Sequence, residues 1–530
     1  MFLSDRTGSR PLSGTNLLAA FKISLRTFSI VLILHSGFAL GQGNKVKLVH
    51  ANTLEDYPSV RNTTLAKGNI EFEYKNTRLF CDSALYFRDK EVIHAYGNVH
   101  INQGDTINIF GDSLKYYGRE NLSKLAGHVR FRDNDYKMVT DSLDYDGDKS
   151  MATYRNNAVI TSINGDLELK SRKGYYSTTS KTFYFKENVI AHHPEYHLTA
   201  DTLEFRTIPQ TAHFHGPTDI NLIKGGQNVA CSKGIYFSET GFMRLWDGAE
   251  LRDSSQVIIA DSLEYDQETD VGEGWRSVTI YDSIENVRFS AEYALKARNN
   301  ENILLHGKAQ IRQYNVTDTL FIQADTIFHQ RDTLTEFEKS VANHHVVIIK
   351  ADLYVRCDSA WFSESDSLAK LFKEPILWNN RTQLTADSIY ADYFDKEFHR
   401  IKMYNNAMIV NDHKQDTAHY DQLKGKRMTA VLDSGAISRV FIELNAETLY
   451  YVVNAEKDSS GTETEEIDGM NKIDCNQITI YFANDEIDNI AFIDQPVSVY
   501  YPLNQIPANV QFLKGFVWKI AFRPNRLMFE

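Results

Sequence analysis

Eight times along this chain a small or apolar residue is followed by Asp-Ser or Asp-Thr and then by a strand-like run. The acids are Asp82, Asp112, Asp141, Asp201, Asp261, Asp325, Asp358 and Asp387. Worn copies at Ser171, Ser232, Glu292, Asp421, Glu447 and Asn476 fill the gaps, giving fourteen positions about 30 residues apart. A second marker runs half a period out of phase, best written as Lys67-Gly68-Asn69-Ile70, Tyr96-Gly97-Asn98-Val99 and His306-Gly307-Lys308-Ala309. Turn residues such as Asp146-Gly147-Asp148 and Asn164-Gly165-Asp166 fall between the markers and signal hairpins. A period of this length means a repeat architecture, and it overrides the several compact domains that 530 residues would otherwise suggest.

Each period holds two strands with a marker in the middle of each. In Leu198-Thr199-Ala200-Asp201-Thr202-Leu203-Glu204-Phe205 the apolar set reads 198, 200, then 203, 205. Ile258, Ala260, Leu263 and Tyr265 do the same. A period-2 pattern that slips by one at the same place in every copy predicts an extra residue there, a bulge that turns both halves of the strand toward one interior. Asp is expected to tie its own backbone at the bend by an Asx-type hydrogen bond, and Gly to supply a positive φ. The fold class is therefore all-β: stacked bent antiparallel hairpins forming two facing sheets with a trough between them. At ~4.8 Å per strand the stack would reach on the order of 130 Å.

Residues 1–41 read as a cleaved secretory signal, with Arg6, Arg10, Lys22 and Arg26 ahead of the apolar run 28–34 and Ala39-Leu40-Gly41 at the end. Residues 42–500 form the repeat array. Within it, 457–469 read as a mobile acidic loop, and 501–530 lose the alternation and read as a C-terminal cap or tail. The full chain carries a net charge of −13; removing 1–41 takes away four bases and Asp5 and leaves −16. An acidic chain of this kind argues against a nucleic-acid partner.

The paired phrases Ala95-Tyr96-Gly97-Asn98-Val99-His100-Ile101 and Ile259-Ala260-Asp261-Ser262-Leu263-Glu264-Tyr265, recurring after a signal-like segment, resemble the OstA/LptA family. Its members include periplasmic lipopolysaccharide-transport proteins and the N-terminal domain of the translocon LptD. The resemblance covers residues 45–420 well and 421–500 weakly. It implies an elongated OstA/LptA-like β-jellyroll, a periplasmic location at or near the outer membrane, and lipopolysaccharide or a similar amphipathic lipid as ligand. It further implies no catalysis and no cofactor, with other envelope transport proteins, or further copies of the chain, joined end to end through edge strands. This chain has far more repeats than a short bridge protein, and no barrel of membrane strands follows them.

The candidate lipid-groove residues are the inward set Leu114, Tyr116, Leu143, Tyr145, Leu203, Phe205, Leu263 and Tyr265, most of which suit a dry packed core better. The eight acids are structural corners and no metal site is expected: successive acids would lie ~10 Å apart, whereas calcium takes six or more oxygens at ~2.4 Å. His193 and His197 would share a strand face ~13 Å apart and read as surface residues, as do His192, His213 and His215. Cys81, Cys231, Cys357 and Cys475 are repeats apart and are expected to be free inward thiols. Two other readings are a structural envelope spacer with a filled trough and a glycan-active β-helix enzyme. Even spacing of the acids disfavours the enzyme.

Overall fold

The computed structural model describes residues 45–525 apart from 105, 298–301, 316–317, 352, 395–396, 414–415, 434–435, 458–462 and 484–485. The signal-like segment 1–41 lies outside the described residues. Val46 onward forms one unit, a single 34-stranded sheet in which every pairing is antiparallel. Consecutive strands pair as hairpins, from Thr63–Tyr74 with Thr77–Phe87 to Ala436–Lys457 with Glu463–Ala483.

What makes one sheet into two walls is the corner. Lys67 pairs with Ser83 and Ile70 with Cys81, so Gly68 and Asn69 together face the single residue Asp82. Tyr96 pairs with Ser113 and Val99 with Gly111, so Gly97 and Asn98 face Asp112. The same two-against-one arrangement recurs at Asp141, Asp201, Asp261, Asp325 and Asp358. The two facing residues are consecutive left-handed residues, Gly97 at φ 72° and Asn98 at φ 43°, for example. The extra residue therefore sits at the Gly marker, and the slip in apolar parity along the Asp strand is its reflection. Two positive φ values in succession swing the chain, so both halves of each strand turn apolar residues to one interior. At several corners the bend separates the halves completely: Tyr136–Asp146 pairs with Ala158–Ser162 on one side of the corner and with Met151–Tyr154 on the other.

The side chains of the acids act across strands instead of on their own backbone. Asp82 accepts from Asn98 Nδ2 at 2.8 Å, Asp387 from Asn406 Nδ2 at 3.0 Å, and Asp112 meets His128 Nδ1 at 2.7 Å. Arg276 and Lys308 reach Asp261 and Glu292 in the same way, at 3.2 and 3.0 Å. In each case the partner belongs to the left-handed pair of the following strand, so these corners form a polar spine on the solvent side. A Cβ on Gly97 would lie 2.5 Å from Asp82 Oδ2, which explains the glycine in that corner.

Two stretches depart from expectation. The segment 457–469 is largely a long hairpin: Lys457 pairs with Glu463 and Val453 with Ile467, and the turn itself falls in the undescribed 458–462. The C-terminal segment does not close the end of the stack. After the strand Val497–Pro502 it turns back and runs across the outside of one wall, held by Gln422 and then by Gln383.

Candidate functional site between the two walls

All eight groove candidates are buried, at 5% exposure or less. They belong to one apolar core that continues from Val46 to Ile480. Every one of them follows an Asp corner, so together they line only one wall. The opposite wall, which the groove candidates leave out, is built from the residues before the corner on the Asp strands and after it on the strands between them, among them Ile101, Ile109, Phe131, Met138, Leu198, Ile220 and Ile258. The first half of the same slip pattern already points to it, since 198 and 258 precede Asp201 and Asp261 by the same interval.

Aromatic rings meet across the gap. Phe131 of one wall lies 6.4 Å from Tyr145 and 6.0 Å from Tyr176 of the other. Tyr136 meets Phe183 at 5.1 Å and Tyr196 meets Tyr236 at 5.3 Å. The three edge-to-face contacts among these, Phe131–Tyr176, Tyr136–Phe183 and Tyr196–Tyr236, contribute beyond the area they bury. A small cavity near the first strands, lined by Val46, Tyr74 and Tyr116, has a volume of about 10 Å³. A larger cleft of 570 Å³ sits at hairpin tips and is lined by polar side chains such as Asp366, Asp392, Arg400 and Lys402.

The mouth of the interior, where the hairpin tips of the two walls approach, is latched by polar contacts. Lys75 Nζ donates to Asp148 at 2.8 Å, and the Tyr145 hydroxyl donates to Gln103 Oε1. Asp133, itself buried, accepts from the Tyr176 hydroxyl at 2.7 Å and from Lys181 Nζ at 3.2 Å. Its other oxygen accepts the backbone N–H groups of Asp135 and Tyr136. Arg331 bridges to Glu285 at 2.7 Å. Burial and the neighbouring Asp133 carboxylate push the Tyr176 hydroxyl far above the ordinary tyrosine range, so it stays a donor. The tip residues look like ordinary turn polar residues in sequence, which is why the latches were not foreseen.

The remaining candidates fall into place as follows. His192 and His197 are direct partners across a hairpin, their Nδ1 atoms 3.0 Å apart; the single-strand estimate paired His197 with the wrong residue because the chain turns between them. Among the described residues no group of three or more His, Cys, Asp or Glu is arranged to hold a metal ion. The four cysteines are free, and burial pushes the thiols of Cys81, Cys231 and Cys357 up to about 12. At either end of the sheet the strands Lys47–His50 and Thr53–Asp56, and Glu486–Ile493 and Val497–Pro502, pair on one side only among the described residues.

A bent, two-walled antiparallel array with one continuous apolar interior defines an all-β, jellyroll-like repeat protein. Residues 43–201 match the family model described as OstA-like protein. Among solved structures the chain is similar to LptH, the LptA homologous periplasmic component of the conserved lipopolysaccharide transport device from Pseudomonas aeruginosa. The identity is 13% and the TM-score 0.21, covering 28% of this chain and 95% of that one. No curated protein matches the chain.

Proposed function

We propose that the chain is a periplasmic protein of lipopolysaccharide transport that carries or bridges the lipid toward the outer membrane, its acyl chains held between the two walls. The observation that supports this best is the OstA-like match falling on repeats whose apolar interior then continues, at the same corner geometry, through the rest of the array. Acyl chains entering that interior gain about 0.8 kcal/mol per buried CH₂. They also displace ring contacts already present, so entry requires the latched tips to part and the walls to separate. Binding is then an equilibrium along a repeating surface, with the sugar-phosphate head outside and no bond made or broken. The open strand edges at each end suit pairing with neighbouring transport proteins or with further copies.

A photo-crosslinking side chain placed at Leu114, which faces the interior, is expected to capture lipopolysaccharide in protein drawn from its own envelope, and one at the neighbouring Lys115 is expected not to. Native mass spectrometry of the same material should show bound lipid. Absence of lipid in both measurements, with no uptake of added lipopolysaccharide, would overturn the reading. It would favour the filled-interior spacer, which the burial of all eight candidates supports on its own terms.

A further inference from the structure

The outer face of the wall that carries the residues before each Asp, paired with those after each intervening corner, changes character along the array. One row of cross-strand partners can be followed from end to end. It begins Arg78, Asn102, Asn108, Arg132, Lys137 and stays largely polar to Arg312. From Phe321 it becomes Ile349, Tyr354, Trp378, Gln383, Val410, Gln422, Leu449. The C-terminal segment lies along this apolar part. Its Leu513 is buried with Met408, Val410, Leu449, Tyr451 and Met470.

Two fully buried glutamines fix it there by reading its backbone. Gln422 donates to the Gln511 carbonyl at 3.0 Å and accepts from Leu513 N at 2.8 Å; Gln383 donates to the Val517 carbonyl at 2.8 Å and accepts from Lys519 N at 2.7 Å. Because the inward side of the segment is spent on the wall, its other side must face solvent. That side is apolar: Phe512, Val517, Ile520 and Phe522 are 41–58% exposed. Val497 and Val499, on the same outer face at the edge, are exposed as well. Nine of the 27 large exposed hydrophobics among the described residues fall within residues 493–522. A clustered apolar surface of this kind marks an interaction site, where scattered exposed residues would not.

Its charge says what it meets. Residues 495–529 contain no Asp or Glu and four bases, Lys514, Lys519, Arg523 and Arg526, in a chain that is otherwise strongly acidic. Two acids of this outer face are paired with bases: Glu447 with Lys424 at 2.7 Å and Asp474 with Lys472 at 3.6 Å. Exposed Phe, Val and Ile interleaved with Lys and Arg complement an anionic lipid interface: apolar side chains enter the acyl boundary while bases meet the headgroups. A protein partner for such a face would be expected to supply matching acids and a shaped pocket, which a bilayer does not need to do.

We infer that the C-terminal segment 503–523, docked on the outside of the wall, is a membrane-surface binding site that rests the end of the array on an anionic phospholipid bilayer. The site is separate from the interior between the walls and stands or falls apart from it. The test uses the mature full chain and vesicles free of lipopolysaccharide, made either of phosphatidylglycerol with phosphatidylethanolamine or of phosphatidylcholine alone. Flotation should show binding to the anionic vesicles, weakening with salt, and little to the neutral ones. Replacing the four exposed residues together (F512S, V517S, I520S, F522S) should weaken binding at least 10-fold with circular dichroism and melting temperature unchanged. Lys514→Glu with Lys519→Glu, which leaves the apolar side intact, should weaken it several-fold. No binding to either vesicle, or binding that both variants leave untouched, would overturn the inference. So would a wild-type dimer in sedimentation that the fourfold variant converts to monomer without any vesicle binding, since that makes the face a self-association surface.

Discussion

The first two-thirds of the array and its last third solve the same geometric problem with different outer surfaces. From the first strands to about Arg312 the pre-corner wall is polar on its outside, and the described cross-wall latches, Lys75–Asp148, Gln103–Tyr145, Asp133–Tyr176 and Glu285–Arg331, all begin in this stretch. Beyond it the same wall is apolar on its outside too and is covered by the chain's own C-terminal segment. A wall that is apolar on one face needs only the opposite wall; a wall that is apolar on both needs a second cover. The consequence is a division of labour. The earlier repeats hold their interior shut at the tips, and the later ones are backed from outside.

Removing the most heavily used latch should break the contrast most strongly. Asp133→Ala takes away an acceptor of four hydrogen bonds at a buried site and leaves Lys181 and the Tyr176 hydroxyl without it. A loss of about 3–5 kcal/mol is expected in denaturant unfolding. Hydrogen exchange should rise first in residues 129–138 and 173–183.

His329, near the junction of the two regions, gives a pH dependence. Burial, reinforced by Lys296 and Arg331, holds its imidazole at about 4, well below the ordinary value of 6.5. Between those values the folded chain binds fewer protons than the unfolded one. Its contribution is therefore fully present above pH 6.5 and is lost as pH falls toward 4, by about 3 kcal/mol. Urea melts at pH 7 and pH 4.5 should show this loss, and His329→Gln should remove most of the difference.

On the other side of the comparison, Gln422→Ala strips two hydrogen bonds from the backbone at Gln511 and Leu513. About 1–3 kcal/mol should be lost. Limited proteolysis should then cut within 503–519 while the earlier repeats resist as before. Corner glycines test what both regions share. Gly97→Ala forces a Cβ against Asp82 at φ 72° and should cost about 1–3 kcal/mol. The smallest effect concerns the spine itself. The hydrogen bond to Asp112 raises His128 above the ordinary histidine value, so whatever it contributes is present below pH 6.5 and fades as pH rises through the raised value. An NMR titration should place its midpoint above 6.5, and Asp112→Asn should bring it back.

Much of the wall geometry could be read in advance because it is local. The period, the position of each corner and the inward residues after it follow from alternation, which a strand enforces within a few residues of itself. The side of the bulge was not legible, since a slip in parity on the Asp strand looks the same whichever strand carries the extra residue. The facing wall was only half named. Latches between residues 42 to 73 positions apart have no local signature. The C-terminal segment lost its alternation in sequence because one of its sides packs by backbone bonds to glutamines and carries no periodic apolar code.

The latches also change how such an array melts. A stack in which each repeat touches only its neighbours opens one unit at a time, like a string of independent links. Tyr145 reaches back 42 residues to Gln103, Tyr176 43 to Asp133, and Lys181 48 to the same acid. Each of these ties spans about one and a half repeats, so a single unit in the first part of the chain cannot come loose while those on either side stay closed. Opening there should be coarse-grained and travel in blocks, with a sharper transition than the repeat count alone would give.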